Sequence, residues 1–113
     1  MHELALAKGI IDIVNSEARE KGFKRVLEIA LCIGEYSGVA PECIREFFPI
    51  AAAGTPAEGA VLKLERLPAR FSCRDCGYEG GADRKRACCP QCGSTAIKML
   101  SGREFYVEKL KVE

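Results

Sequence analysis

Two short runs, Cys73-Arg74-Asp75-Cys76-Gly77 and Cys89-Pro90-Gln91-Cys92-Gly93, constrain this chain more than anything else in it. Two residues between thiolates let both sulfurs turn onto one cation, and the following glycine lets the backbone bend sharply around them. A pair of such hooks supplies four sulfurs, the donor set of a closed tetrahedral structural zinc site. An iron–sulfur cluster also accepts four cysteines, but paired knuckles with trailing glycines favour zinc. A redox pair of the thioredoxin kind needs only one CxxC. Cys73, Cys76, Cys89 and Cys92 are therefore the expected zinc ligands. Cys88 competes for the third position, yet it leaves three residues before Cys92 and loses the knuckle spacing. Cys32 and Cys43 fall on a predicted strand and helix, where free cysteine behaves as a small hydrophobe, and neither is given a function.

The need for a metal follows from what surrounds these residues. From Phe71 to about Ser94 lie five of the seven cysteines and several glycines, with few aliphatic side chains. Such a stretch buries little apolar surface and needs another source of stability. The cysteine count is odd and no export signal accompanies it, which favours metal ligation in a reducing compartment over disulfides. No segment has the apolar length of a membrane span and the N-terminus carries no targeting pattern, so the expected location is the cytoplasm, with no membrane partner. Lysine and arginine total 17 against 16 acidic residues, a net charge of +1 that argues for no polyanionic partner. The run Arg84-Lys85-Arg86 suggests nucleic acid at first sight, as in many zinc ribbons, and a nucleic-acid-binding ribbon is the alternative reading. Four thiolates on one divalent cation carry a formal charge near about −2, which Arg74, Arg84, Lys85 and Arg86 would offset without any such partner. No aromatic stripe is interleaved with the basic run to stack bases, and no nucleic acid is expected.

The rest of the chain reads as an ordinary α/β domain. Leu4, Ala7, Ile11, Val14 and Ala18 recur at helical spacing and predict an amphipathic helix from about Glu3 to Lys21, stopped by Gly22. In RVLEIALCIGEY, the residues Leu27, Ile29, Leu31 and Ile33 alternate as on one strand face. Pro41 suits the first position of a second helix carrying Ile44, Phe47, Phe48, Ala51 and Ala52. Pro49 should kink or split that helix, because it cannot donate to the carbonyl of Arg45. AVLKLERL predicts a second strand up to Pro68, and TAIKML and REFYVEKLKV read as strands around a Ser101-Gly102 turn. The last strand alternates strongly enough to rejoin the main sheet. The expected class is α+β: a small mixed sheet of about three strands with two helices, plus an inserted zinc-ribbon-like module. The expected division is 1–69 with 101–113 as one discontinuous domain and 70–100 as the zinc-binding domain.

One residue lies outside this scheme. His2 is the only histidine among 113 residues, and it stands beside the amino-terminal amine. That amine, the amide nitrogen of His2 and a ring nitrogen of His2 can lie in one plane around a metal. The amide nitrogen or the carboxylate of Glu3 can fill the fourth corner. Square-planar nitrogen donors suit Ni(II) or Cu(II) rather than zinc. Taken alone, "MH" is a weak motif.

Taken together, MHE at the start, IGEYSGVAPE, GTPAEGAVLKLE and the two spaced CxxC pairs resemble the hydrogenase nickel-incorporation accessory proteins, the HypA family. The resemblance runs along essentially the whole chain. It implies a nickel metallochaperone without catalytic activity, with a nickel site at Met1, His2 and Glu3 and a structural zinc at the four cysteines. It further implies Ni(II) as transferred cargo, Zn(II) as a resident ion, and delivery to the large-subunit precursor of a [NiFe]-hydrogenase with a HypB-type GTPase as partner. Some relatives also serve urease, which extends the implied partners to urease maturation proteins. Some members carry an acidic residue just before the second helix; Ala40 offers no donor there.

Overall fold

The computed structural model describes residues 2–82 and 86–113, in the order α1 (His2–Lys21), β1 (Val26–Gly34), α2 (Pro41–Ala52), β2 (Val61–Leu67), β3 (Arg70–Cys73), β4 (Glu79–Gly80), β5 (Ile97–Ser101) and β6 (Phe105–Val112). Two three-stranded sheets result, ordered β2-β1-β6 and β4-β3-β5. The α+β class and the return of the last strand to the main sheet are as the sequence predicts. Two compact units are distinguished: residues 1–32, 39–65 and 106–113 make the first, and 33–38 with 66–105 make the second.

The first unit holds most of the apolar core. Ala7, Ile10, Ile11 and Val14 of α1 are buried, as are Ile44, Phe48 and Ala52 of α2, and the two helices pack on each other. Gly22 donates to the Ala18 carbonyl at 2.8 Å with φ +78°, a left-handed helix stop that glycine adopts without a Cβ penalty. In β1, Ile29 and Leu31 are fully buried, and Ala30 and Cys32 on the opposite face are nearly so. Both faces of this central strand are thus covered over residues 29–32. The segment after α2 is fixed by Thr55, whose hydroxyl donates to the Ala52 carbonyl at 2.7 Å and accepts from the Ala57 amide at 3.2 Å. The Pro56 carbonyl then accepts from Val26 at 2.9 Å.

Two expectations are corrected. α2 runs unbroken from Pro41 to Ala52 with Pro49 inside it, so the proline neither splits nor ends the helix. It falls in the final turn, where only one intrahelical bond is lost, and Phe48 and Ala52 on the buried face hold the turn in place. β5 and β6 do not form one hairpin around Ser101-Gly102: β5 pairs with β3, whereas β6 pairs with β1. Gly102, between these two strands, has a φ of +139°.

The second unit contains a dense backbone network around the IGEYSG run. The Gly34 amide donates to Glu104 at 2.7 Å, Tyr36 to Gly102 at 2.6 Å, and Glu35 to Leu67 at 2.9 Å. The Glu35 carboxylate accepts from the Ala69 amide, and that of Glu104 from the Gly102 amide, each at 2.9 Å. A Cβ on Gly34 would stand 2.3 Å from the Gly102 carbonyl oxygen, so only glycine permits this approach. The Tyr36 and Phe71 rings meet edge to face at 6.1 Å.

Candidate metal centre

The four-cysteine site is built on a small antiparallel sheet. β3 pairs with β4 through Phe71↔Gly80 and Ser72↔Glu79, and with β5 through Phe71↔Met99, Ser72↔Lys98 and Cys73↔Ile97. β3 and β4 were not anticipated as strands, because four and two residues are too few to display an alternating pattern. Cys73 ends β3 and enters the first knuckle.

The two knuckles share one backbone design. The Gly77 amide donates to the Cys73 carbonyl at 3.0 Å, and the Gly93 amide to the Cys89 carbonyl at 2.9 Å. Gly77 and Gly93 take φ of +78° and +77°, a region closed to most side chains. The Cys73 amide donates to Tyr78 at 2.8 Å, and the Cys89 amide to Ser94 at 2.7 Å. The same turn is thus made twice, each bringing its two thiols forward. The Ser94 hydroxyl donates to the Asp75 carboxylate, tying the second knuckle to the first.

The sulfurs converge accordingly. Cys73 and Cys92 Sγ lie 3.6 Å apart, as do Cys76 and Cys89 Sγ, and all four sit within 4.8 Å of one another. A tetrahedral ion with Zn–S bonds of about 2.3 Å places its sulfurs about 3.8 Å apart. The group therefore fits a structural zinc ion. Cys73 and Cys89 are buried, while Cys76 and Cys92 are exposed, so the site is sealed from one side. The Cys89 sulfur accepts from the Gln91 amide at 3.4 Å. Cys88 stands outside this group, and the choice of Cys89 over Cys88 agrees with the sulfur positions.

The thiols differ in acidity. Cys89 is drawn down to about 7: desolvation opposes ionisation, but backbone N–H groups of Cys92 and Gln91, and then the Cys76 and Cys92 thiols, stabilise its thiolate. Cys76 is pushed up to about 12: a backbone hydrogen bond at Tyr78 favours its ionisation, but desolvation and the hydrogen bonds of Cys89, Cys92 and Cys73 outweigh it. Cys89 thus ionises more readily than Cys76.

Of the expected nickel residues, Met1 and the side chain of His2 lie outside the described residues. Glu3 sits in the first turn of α1, half-buried, on a helix whose described backbone begins at His2. Of the basic run, Arg84 and Lys85 also lie outside the described residues, and Arg86 is exposed. A second group went unanticipated: Cys32, Glu65 and Glu108 bring one ligand atom each within 4.8 Å of one another. Alternation places each residue on a strand face, but which strands are neighbours cannot be read from it.

A helical and sheet body carrying a four-sulfur cage defines a small metal-handling protein of the α+β class. The profile described as "Hydrogenase/urease nickel incorporation, metallochaperone, hypA" matches residues 1–112. The chain is 40% identical over 113 residues to the hydrogenase maturation factor HypA of Chlorobium limicola, covering all of this chain and 97% of that one. It is 39% identical over 108 residues to the factor of the same name from Moorella thermoacetica, covering 96% of each. Its fold matches the solution structure of the Ni metallochaperone HypA from Helicobacter pylori with a TM-score of 0.70 at 17% identity, covering 97% of this chain and 96% of that one. A second solution structure of a HypA protein matches with a TM-score of 0.74 at 18% identity, covering 100% and 97%. The chain belongs to the HypA family of hydrogenase and urease nickel-incorporation metallochaperones. Among the described residues, no helix is long and apolar enough to cross a membrane.

Proposed function

We propose that this chain binds one Ni(II) ion through its first three residues and hands it to a [NiFe]-hydrogenase large-subunit precursor. The donors are the Met1 amine, the His2 amide and ring nitrogens, and the Glu3 amide or carboxylate. The observation that carries this reading is the start of α1 at His2. The first four amides of a helix have no intrahelical acceptor, so the His2 and Glu3 amides can lose their protons to a metal without breaking the helix. The positive end of the helix dipole opposes a bare cation but favours deprotonated amides, which bring their own negative charge. Nickel is then held by a chain end rather than a closed cage, which suits release.

Residues 1–69 with 101–113 act as the nickel-binding part and residues 70–100 as the zinc-binding part, whose zinc is structural. A HypB-type GTPase and the cytoplasmic maturation machinery are the corresponding partners, and urease maturation proteins are further candidates. The chain acts by binding and release, with no catalytic residues.

Nickel titration of three zinc-loaded forms tests the site: the native chain, His2→Ala, and a chain extended by two residues before Met1. The extension keeps every side chain but moves the amine away. The expected result is one equivalent bound tightly by the native chain alone. Equal binding by all three forms would refute the N-terminal site.

A further inference from the structure

We propose that Cys32, Glu65 and Glu108 form a second, exchangeable site for a borderline divalent transition ion on the β2-β1-β6 sheet. The inference goes beyond the N-terminal nickel reading and does not rest on it. Cys32 lies on the central strand and the two glutamates on its two flanking strands, so three rigid elements each contribute one donor. The Cys32 sulfur is 3.2 Å from the Glu108 carboxylate and 4.0 Å from that of Glu65. Two ligands bound at about 2.0–2.3 Å to one ion can be no further apart than roughly 4.5 Å, so both separations are within the span of a single cation.

The surroundings distinguish this group from an ordinary core cysteine. A cysteine acting as a small hydrophobe faces aliphatic neighbours. Here the residue is 2% exposed and its sulfur faces two carboxylates and the Tyr106 hydroxyl. Neither carboxylate has a cationic partner among the described residues: the ion pairs there are Lys21–Glu17 and Lys63–Glu28. Lys63 lies two positions from Glu65 on the same strand, yet it pairs with Glu28 at 3.4 Å. Two acids crowded on one thiol with no close ion pair repel each other, and a divalent cation removes that repulsion more fully than Lys63 and Lys109, which line the same cavity without pairing to either acid.

Access and selectivity follow from the same residues. A cavity of about 280 Å³, lined by Ala30, Lys63, Leu64, Glu65, Glu108 and Lys109, opens onto the two carboxylates. The two glutamates are exposed and can take an ion from solvent, while Cys32 is the buried member of the group. The sulfur disfavours Mg²⁺ and Ca²⁺, while a mixed sulfur and oxygen set suits Zn(II), Co(II) or Ni(II). Three protein donors leave a coordination position for water, the arrangement of sites that exchange ligands rather than of closed structural ones. On binding, the thiol releases its proton to the buffer as the sulfur–metal bond forms.

Cobalt(II) titration of the zinc-loaded full chain, extended by two residues before Met1 to silence the terminal amine, tests the site. The expected result is one cobalt per chain with a sulfur-to-cobalt charge-transfer band, while zinc content stays constant. Cys32→Ser should abolish the band. Glu65→Gln with Glu108→Gln keeps the thiol and alters only exposed positions; it should weaken binding by about tenfold or more at unchanged far-ultraviolet dichroism. Absence of cobalt binding, a band that survives Cys32→Ser, or full affinity in the double glutamate variant would each overturn the proposal.

Discussion

At the scale of single residues, glycine and cysteine positions carry the sharpest expectations. Gly77 has φ +78° and nothing within 4 Å of where a Cβ would stand, so Gly77→Ala strains the backbone alone. It should destabilise the zinc-loaded protein by about 1–2 kcal/mol. Gly34→Ala drives a Cβ into the backbone carbonyl of Gly102, which cannot yield as the nearby Glu104 side chain can. Its loss should be larger, about 3 kcal/mol or more once the strand shifts. Thermal unfolding of both variants checks the order, and equal effects would contradict the close approach of Gly34 to Gly102. Cys89→Ser should lose stoichiometric zinc while Cys88→Ser keeps it, measured as metal retained after gel filtration. Acidity gives the same site a pH signature. Below about pH 7, Cys89 carries a proton that zinc must displace; above it, the sulfur is already a thiolate. Apparent zinc affinity should therefore fall more steeply with acidification below about pH 7 than above, by about one extra proton per ion. Chelator competition across pH measures the slope, and a constant slope through pH 7 would exclude the assignment.

At the scale of elements, the long periodic segments were legible and the short ones were not. The spacing of Ala7, Ile11 and Val14 locates α1 because its buried positions Ala7, Ile10, Ile11 and Val14 recur at helical spacing on one face. β1 is equally plain, since Ile29, Leu31 and Ile33 recur at every second position and are buried. The knuckles were readable from spacing because two residues between thiols is a geometric requirement, independent of tertiary context. The return of the last strand to the main sheet was legible from its alternation, whereas β3 and β4 escaped notice because pairing partners distant in sequence decide them. The Cys32, Glu65 and Glu108 group was hidden for the same reason. Pro49 shows local preference overruled by packing: the buried Phe48 and Ala52 keep α2 helical through it. Pro49 itself is exposed, so Pro49→Ala removes no core contact and restores a donor for the Arg45 carbonyl. It should raise stability by about 1–2 kcal/mol, the gained helix propensity exceeding the freedom returned to the unfolded chain. Denaturant unfolding measures this, and a destabilised variant would mean that the proline ring packs productively.

At the scale of the molecule, the two units are stabilised by different means. The first has a core of α1, α2 and β1 side chains that needs no metal. In the second, two of the few buried side chains among the described residues are Cys73 and Cys89, which belong to the sulfur cage. Stripping zinc with a strong chelator should therefore expose the amides of β3 and β5 to hydrogen exchange and leave those of α1 and Ile29–Leu31 protected. Uniform loss of protection would show the two units to be one cooperative body. Nickel handling is a separate claim, resting on the chain end and not on the cage. The most direct test is nickel binding by a zinc-loaded chain acetylated only at the Met1 amine, followed by titration and by the visible absorption of planar nickel. The account predicts that the planar spectrum disappears and tight binding is lost; an unchanged spectrum and unchanged affinity would contradict it.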